Sequence, residues 1–203
     1  MRYLHLGPAL LAGCLAGFYP AWTLANDPAQ GCMDCHGKDG ASTETDVPII
    51  GGISRQYLID NMAAYREKSR PCPETRYRAG DKTRAPTDMC RIAADLSPQD
   101  TEKVADYYAA KPFVRAKQQT DAAKAAKGKQ LHALHCEKCH ADGGSSAEDD
   151  AGILAGQWMP YLRESMKEYN SGKRLMPEKM KPKVEKLSAD DYEALIQYYG
   201  SQN

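Results

Sequence analysis

Slid against itself by 104 residues, this 203-residue chain overlays on itself. Ile49-Ile50-Gly51-Gly52 falls on Ile153-Leu154-Ala155-Gly156, Tyr57-Leu58 on Tyr161-Leu162, Met62 on Met166, Tyr65 on Tyr169 and Arg70 on Arg174. Past Arg70 the offset becomes 91, so that Met89 overlays Met180, Leu96-Ser97 overlays Leu187-Ser188, Asp100 overlays Asp191 and Tyr107-Tyr108 overlays Tyr198-Tyr199. A repeat of this kind is one supersecondary unit used twice. At this length it implies two small domains in tandem. The drop in offset places about thirteen extra residues in the first copy, between Arg70 and Met89.

Each copy opens on the same five-residue pattern. Cys32-Met33-Asp34-Cys35-His36 and Cys136-Glu137-Lys138-Cys139-His140 both read C-x-x-C-H, the signature of covalent c-type haem attachment. Two thiols so spaced on one helical turn reach one porphyrin edge and add across its vinyl groups, and the next residue presents an imidazole to the iron. A lone C-x-x-C also suits a redox dithiol or half a zinc site. A four-thiol zinc site leaves the internal repeat unexplained. The expected cofactors are therefore two covalently bound haem c groups, on Cys32 and Cys35 and on Cys136 and Cys139, with His36 and His140 as axial ligands.

The repeat also nominates the ligands on the other side of each iron. Met89 and Met180 stand at matched positions, seven residues before Leu96 and Leu187, and a thioether there raises the haem potential. Met176 competes in the second half but has no counterpart in the first, and Met62 and Met166 read as core filler. His132 and His135 read as ordinary polar residues of the helix entering the second motif. Pro48 is expected to steer a backbone carbonyl to His36, a contact that Gly152 replaces and alters in the second half.

Seven cysteines remain to be placed. Four lie in the motifs, and Cys72 and Cys90 flank the insertion, where a disulfide between them would close the loop and steady Met89. Cys14 lies in an apolar N-terminal run, Leu4–Trp22, preceded by Arg2. That run reads as a signal peptide over residues 1–25, with Thr23-Leu24-Ala25 as the cleavage site. A lipoprotein signal, Leu11-Ala12-Gly13-Cys14 with Cys14 lipidated, is the alternative. Either reading puts the folded part in the periplasm, with no membrane span in the mature chain. Charge is balanced, with 27 basic and 27 acidic residues, which gives no sign of a nucleic-acid partner.

Helical periodicity covers Gln56–Lys68 and Pro160–Tyr169. Ser97 and Ser188, each three residues before an Asp, read as N-caps of helices running to about Ala110 and Tyr199. A further helix, Asp121–His135, leads into the second motif, and strand signals are absent. The first copy has too few residues before Cys32 for a matching entry helix, which leaves its haem edge more open or covered by a partner. The expected organisation is all-α: a first domain over 27–113, a linker over 114–119 and a second domain over 120–203.

The mature chain resembles the two-haem cytochromes c with tandem class I domains. Its second half, from Cys136 through His140-Ala141-Asp142-Gly143-Gly144 and Ile153-Leu154-Ala155-Gly156-Gln157-Trp158 to Pro160-Tyr161-Leu162 and Met176–Met180, resembles the cytochrome subunit of flavocytochrome c sulfide dehydrogenase. That resemblance implies a flavoprotein (FAD) partner that oxidises sulfide, a chain that relays electrons to a downstream acceptor, and no catalysis by this chain alone. A free electron shuttle is the alternative. A self-sufficient enzyme, such as a two-haem peroxidase or a thiosulfate dehydrogenase, needs an open iron or a cysteine ligand. Matched methionines argue against the first, and only Cys72 and Cys90 offer the second. No glycine-rich nucleotide pattern is present, so the chain does not hold the flavin itself.

Overall fold

The computed structural model describes residues 27–148 and 150–203. The proposed signal segment, its cleavage site and Cys14 lie outside them. The first copy contains α1 (Pro28–His36), a 3-10 turn (Lys38–Gly40), α2 (Arg55–Arg66), α3 (Met89–Asp95) and α4 (Pro98–Ala109). The second contains α5 (Ala122–His135), the short turn α6 (Ala141–Gly144), α7 (Met159–Asn170), α8 (Lys181–Val184) and α9 (Ala189–Gly200). Among the described residues the only β pairing is an isolated antiparallel bridge, Thr75 to Thr87, across the insertion. No helix of the described residues is long and apolar enough to cross a membrane.

Local chemistry sets the helix ends. Asp27 caps α1 by accepting from Ala29 N at 3.0 Å, with Pro28 at the first helical position, where its missing N–H costs nothing. Ser97 and Ser188 cap α4 and α9. The second forms a full reciprocal box with Asp191, whose carboxylate also accepts from the Ser188 backbone N–H. The helices anticipated around Gln56, Pro160, Ser97, Ser188 and Asp121 stand within two residues of the expected bounds.

In each copy the entry and exit helices pack on one another. Tyr108 OH on α4 donates to Ala29 O on α1 at 2.9 Å. In the second copy α5 lies against α9 so closely that a Cβ on Gly128 would sit 2.0 Å from Ala194 O. Only glycine permits that crossing. The matched position in the first copy, residue 24, lies outside the described residues, and the described entry helix of that half has nine residues against fourteen in the second.

The repeat is visible in backbone hydrogen bonds as well as in sequence. Ile50 N donates to Gly40 O at 2.9 Å as Leu154 N does to Gly144 O at 2.8 Å, and Gly52 N donates to Tyr108 O as Gly156 N does to Tyr199 O, both at 2.8 Å. Gly40 and Gly144 adopt φ of 77° and 90° beneath the matched tyrosines, a left-handed backbone that glycine takes without strain.

The halves dock through polar groups. Gln157, 1% exposed, accepts from Ile49 N (3.0 Å) and from Trp158 N (3.0 Å), and donates to Ile49 O (2.9 Å). Trp158 Nε1 donates to Ser42 O at 2.9 Å, and Ser54 Oγ donates to Asp150 at 2.7 Å. Asp150 is thus engaged across the junction.

Candidate functional site

The two C-x-x-C-H motifs close α1 and follow α5, and both present the same second contact. His36 Nδ1 lies 2.9 Å from Pro48 O and His140 Nδ1 lies 3.1 Å from Gly152 O, each twelve residues downstream. An imidazole that donates Nδ1–H to a carbonyl is fixed in the tautomer whose lone pair is on Nε2, the arrangement of a metal-ligating histidine. The contact expected to differ at Gly152 is kept, because it uses a backbone carbonyl and not the proline ring. Burial pulls the His36 pKa down, which favours the neutral, ligating form.

The motif cysteines are unbridged thiols. Burial pushes Cys32 up to about 11 and raises Cys136 as well. Each of these two faces the matched tyrosine of the exit helix, Tyr108 or Tyr199. Both thiols are half-buried, and their raised pKa disfavours the thiolate that a metal-thiolate site would use. Met89 opens α3 with Asp88 capping behind it, and Met180 stands just before α8, its carbonyl accepting from Lys183 N (2.9 Å) and Val184 N (3.1 Å). Both methionines are half-buried, as is Met176, while Met62 is buried in α2.

Cys72 and Cys90 are joined, with Cα atoms 5.8 Å apart, across the base of the insertion. The loop they close folds back over the first motif. Arg78 N and Ala79 N both donate to Asp34 O at 2.8 Å, the Arg84 guanidinium pairs with the Asp34 carboxylate, and Gly80 packs against that carboxylate. The short entry helix therefore does not leave the first motif open, because the chain covers it with its own insertion.

Between the halves lies a second cluster that the repeat predicts but whose role the sequence left unassigned. Arg70 donates to Asn61 Oδ1 (2.6 Å) and to Tyr161 OH (3.1 Å), and Arg174 reaches the same Asn61 oxygen at 3.2 Å. Each guanidinium also stacks on its own half's tyrosine, Arg70 on Tyr65 at 4.6 Å and Arg174 on Tyr169 at 4.4 Å. Both are buried, and Arg70 Nε has no partner. Among the described residues no carboxylate lies within 4.0 Å of either. Burial pushes the Tyr161 hydroxyl up, yet the two guanidiniums outweigh it and hold it below the ordinary tyrosine value. The Glu168 carboxylate acts on both guanidiniums without pairing with either, and Arg70 Nε is left a spare buried donor that an anion such as a haem propionate would satisfy. On donor set and on charge, the residues present fit the group.

One buried histidine was missed. His132 stands 3.0 Å from Tyr199 OH through Nδ1 and pairs through Nε2 with Glu137, inside the second motif. It ties the entry helix, the exit helix and the motif together. Its place one turn before Cys136 was the only available signal.

Comparison with known proteins agrees with the fold and with two covalently bound haems. The fold and the doubled motif define a dihaem cytochrome c of two tandem class I modules, each with one covalently bound haem c. Residues 123–198 match the family model described as cytochrome c oxidase, cbb3-type, subunit III. Over nearly its whole described length the chain is similar to cytochromes c4. It is 29% identical over 181 residues to the cytochrome c4 of Stutzerimonas stutzeri, covering 82% of each chain. The crystal structure of reduced recombinant cytochrome c4 from Pseudomonas stutzeri superposes with a TM-score of 0.68 at 25% identity, over 86% of this chain and 95% of that one. A thiosulfate dehydrogenase from Marichromatium purpuratum superposes with a TM-score of 0.65 at 26% identity, over 84% of this chain and 36% of that much longer one.

Proposed function

We propose that this chain is a periplasmic electron carrier whose first haem is held by Cys32, Cys35, His36 and Met89 and whose second is held by Cys136, Cys139, His140 and Met180. The modules occupy 27–113 and 120–203, joined by 114–119. The haems supply one-electron chemistry at iron. The protein fixes the imidazoles through the Pro48 and Gly152 carbonyls, excludes water with the Tyr108 and Tyr199 walls, and supplies Arg70 and Arg174 as counter-charge to the propionates. The observation that carries this reading is the pair of matched Nδ1-to-carbonyl contacts, which prepare two histidines in one chain for the same ligation.

The donor we propose is a sulfide-oxidising flavoprotein, on the strength of the second-half motif resemblance. The likeness to cytochromes c4 along the chain favours the other reading, a free shuttle to a periplasmic acceptor. Cys72 and Cys90 are joined to each other, which argues against a cysteine-ligated, thiosulfate-oxidising haem. Purification of the holoprotein from its native source separates the readings. A co-eluting FAD subunit and haem reduction by sulfide support the flavoprotein donor. A haem protein that elutes alone and is not reduced by sulfide in the presence of its own cell extract replaces that donor with the shuttle.

A further inference from the structure

The two motifs are not equally accessible. In the first, Met33, Asp34 and Cys35 are all partly buried beneath the stapled insertion. In the second, Glu137, Lys138 and Cys139 are exposed. The matched stretch of the second half has no insertion and carries Lys173, Lys179, Lys181, Lys183 and Lys186, all exposed, against Glu178 and Glu185. Leu187, which ends that stretch, packs on the same apolar cluster as Cys136, and the Lys183 charge acts on the Cys136 thiol. The lysine segment therefore borders the second motif.

Charge is handled differently on the two sides. On the first, Arg84 is paired with Asp34 and Arg78 with Asp46 at 2.6 Å, so the two cations that lie over the motif are neutralised, and of the covering loop's cations only Arg76 and Lys82 stay exposed without an ion pair among the described residues. On the second, Lys181 reaches Glu185 only at 4.0 Å, and among the described residues no carboxylate lies within 4.0 Å of Lys138, Lys179, Lys183 or Lys186. Two large apolar side chains stand out of the same half near the motif and the methionine segment: Leu134, 72% exposed, two residues before Cys136, and Leu175, 80% exposed, beside Met176. Apolar contacts with a charged rim are the composition of a transient protein interface.

We infer that the stapled loop closes the first haem edge to partners and that electron exchange takes place at the second, on a lysine-rimmed face that receives an electron-transfer protein presenting an acidic surface. Cys139 and Lys138 lie at the centre of this face, with Leu134 and the Lys179–Lys186 segment around it. An electron entering or leaving there passes to the first haem inside the molecule. This rests on the dihaem electron-transfer reading.

The experiment uses the reduced, diamagnetic holoprotein labelled with nitrogen-15 and hexacyanochromate(III), an anionic paramagnetic probe that does not react. Amides of Leu134, Lys138 and Lys183 are expected to broaden several-fold more than those of Met33, Asp34 and Arg84. The variant K138E/K183E is expected to be oxidised by hexacyanoferrate(III) about tenfold more slowly than the wild type in about 10 mM salt, and within about twofold of it in about 0.5 M salt, where screening removes the attraction. Replacing Arg76–Arg84 by two glycines, with the disulfide kept, is expected to raise the broadening of Met33 and Asp34 several-fold above its wild-type value. Equal broadening at both motifs in the wild type, a charge reversal without effect at low salt, or a shortened loop that leaves the first motif as protected as before would each overturn the inference. If the shortened chain does not fold, the first two measurements still decide it. A holoprotein that exchanges no electron with hexacyanoferrate(III) at all sinks the electron-transfer reading itself, a result distinct from equal exchange at both faces.

Discussion

Replacing Gln157 by leucine tests whether the two halves are one mechanical unit. The glutamine is buried and closes three hydrogen bonds, two of them to the backbone of Ile49 in the other half. Leucine fills a similar volume but leaves the Ile49 N–H, the Ile49 carbonyl and the Trp158 N–H without that partner. Each orphaned buried polar group costs about 1–3 kcal/mol, and relaxation recovers part of it, so a loss of about 3 kcal/mol is expected. With a guanidinium m-value of about 4 kcal/mol/M, the unfolding midpoint of the holoprotein falls by about 0.7 M. Ile49 directly follows Pro48, whose carbonyl holds His36. The first haem therefore responds more than the second: its Soret signal is lost earlier in the titration and its reduction potential shifts, while the second potential stays. A midpoint within about 0.2 M of the wild type, or equal changes at both haems, would refute the claim that Gln157 braces the first proximal histidine.

Three further outcomes follow from the site. Met89→Ala and Met180→Ala should each remove half of the far-red sulfur-to-iron charge-transfer absorption, whereas Met176→Ala should leave it intact; loss in Met176→Ala instead would move the second ligand. Arg70→Gln removes a buried positive charge and so favours ferric iron, lowering a haem potential by on the order of 50 mV in a spectroelectrochemical titration; no shift would mean that the guanidinium does not face a propionate. The Arg163 guanidinium beside Glu193 holds its carboxyl down at about 2. That stabilisation is complete above the ordinary carboxylate range and is lost as the pH falls from about 4.5 towards 2. Both partners are partly exposed, so Glu193→Gln should cost at most about 1 kcal/mol at pH 7 and nothing at about pH 2, read by thermal unfolding across that range.

What the sequence made legible was whatever the repeat writes twice in side chains. The C-x-x-C-H pairs, the Ser97 and Ser188 caps and the matched Tyr108 and Tyr199 all have their partners within one module. The histidine-to-carbonyl contact was legible only at Pro48. At Gly152 the chemistry belongs to a backbone oxygen and leaves no trace in residue type. Gln157 was invisible for a related reason: a polar residue in a turn reads as solvated, and only tertiary docking, 108 positions away in sequence, makes it the most connected side chain at the junction.

The insertion is legible from the change of offset, and its closure from Cys72 and Cys90, but its contact with Asp34 leaves no trace in the repeat. A nine-residue entry helix reads as a haem edge left open. The insertion that breaks the repeat offset is stapled at Cys72 and Cys90 and bonded to Asp34, and it supplies the cover that the missing helical turns do not. The two departures from symmetry, a shortened helix and a lengthened loop, therefore act at the same edge of the same module. Duplication alone would give two equivalent haem edges facing solvent. Covering one while leaving lysines and Leu134 at the other turns a symmetric pair into a conductor with one exposed end, and that asymmetry lies in the thirteen residues that the second half lacks.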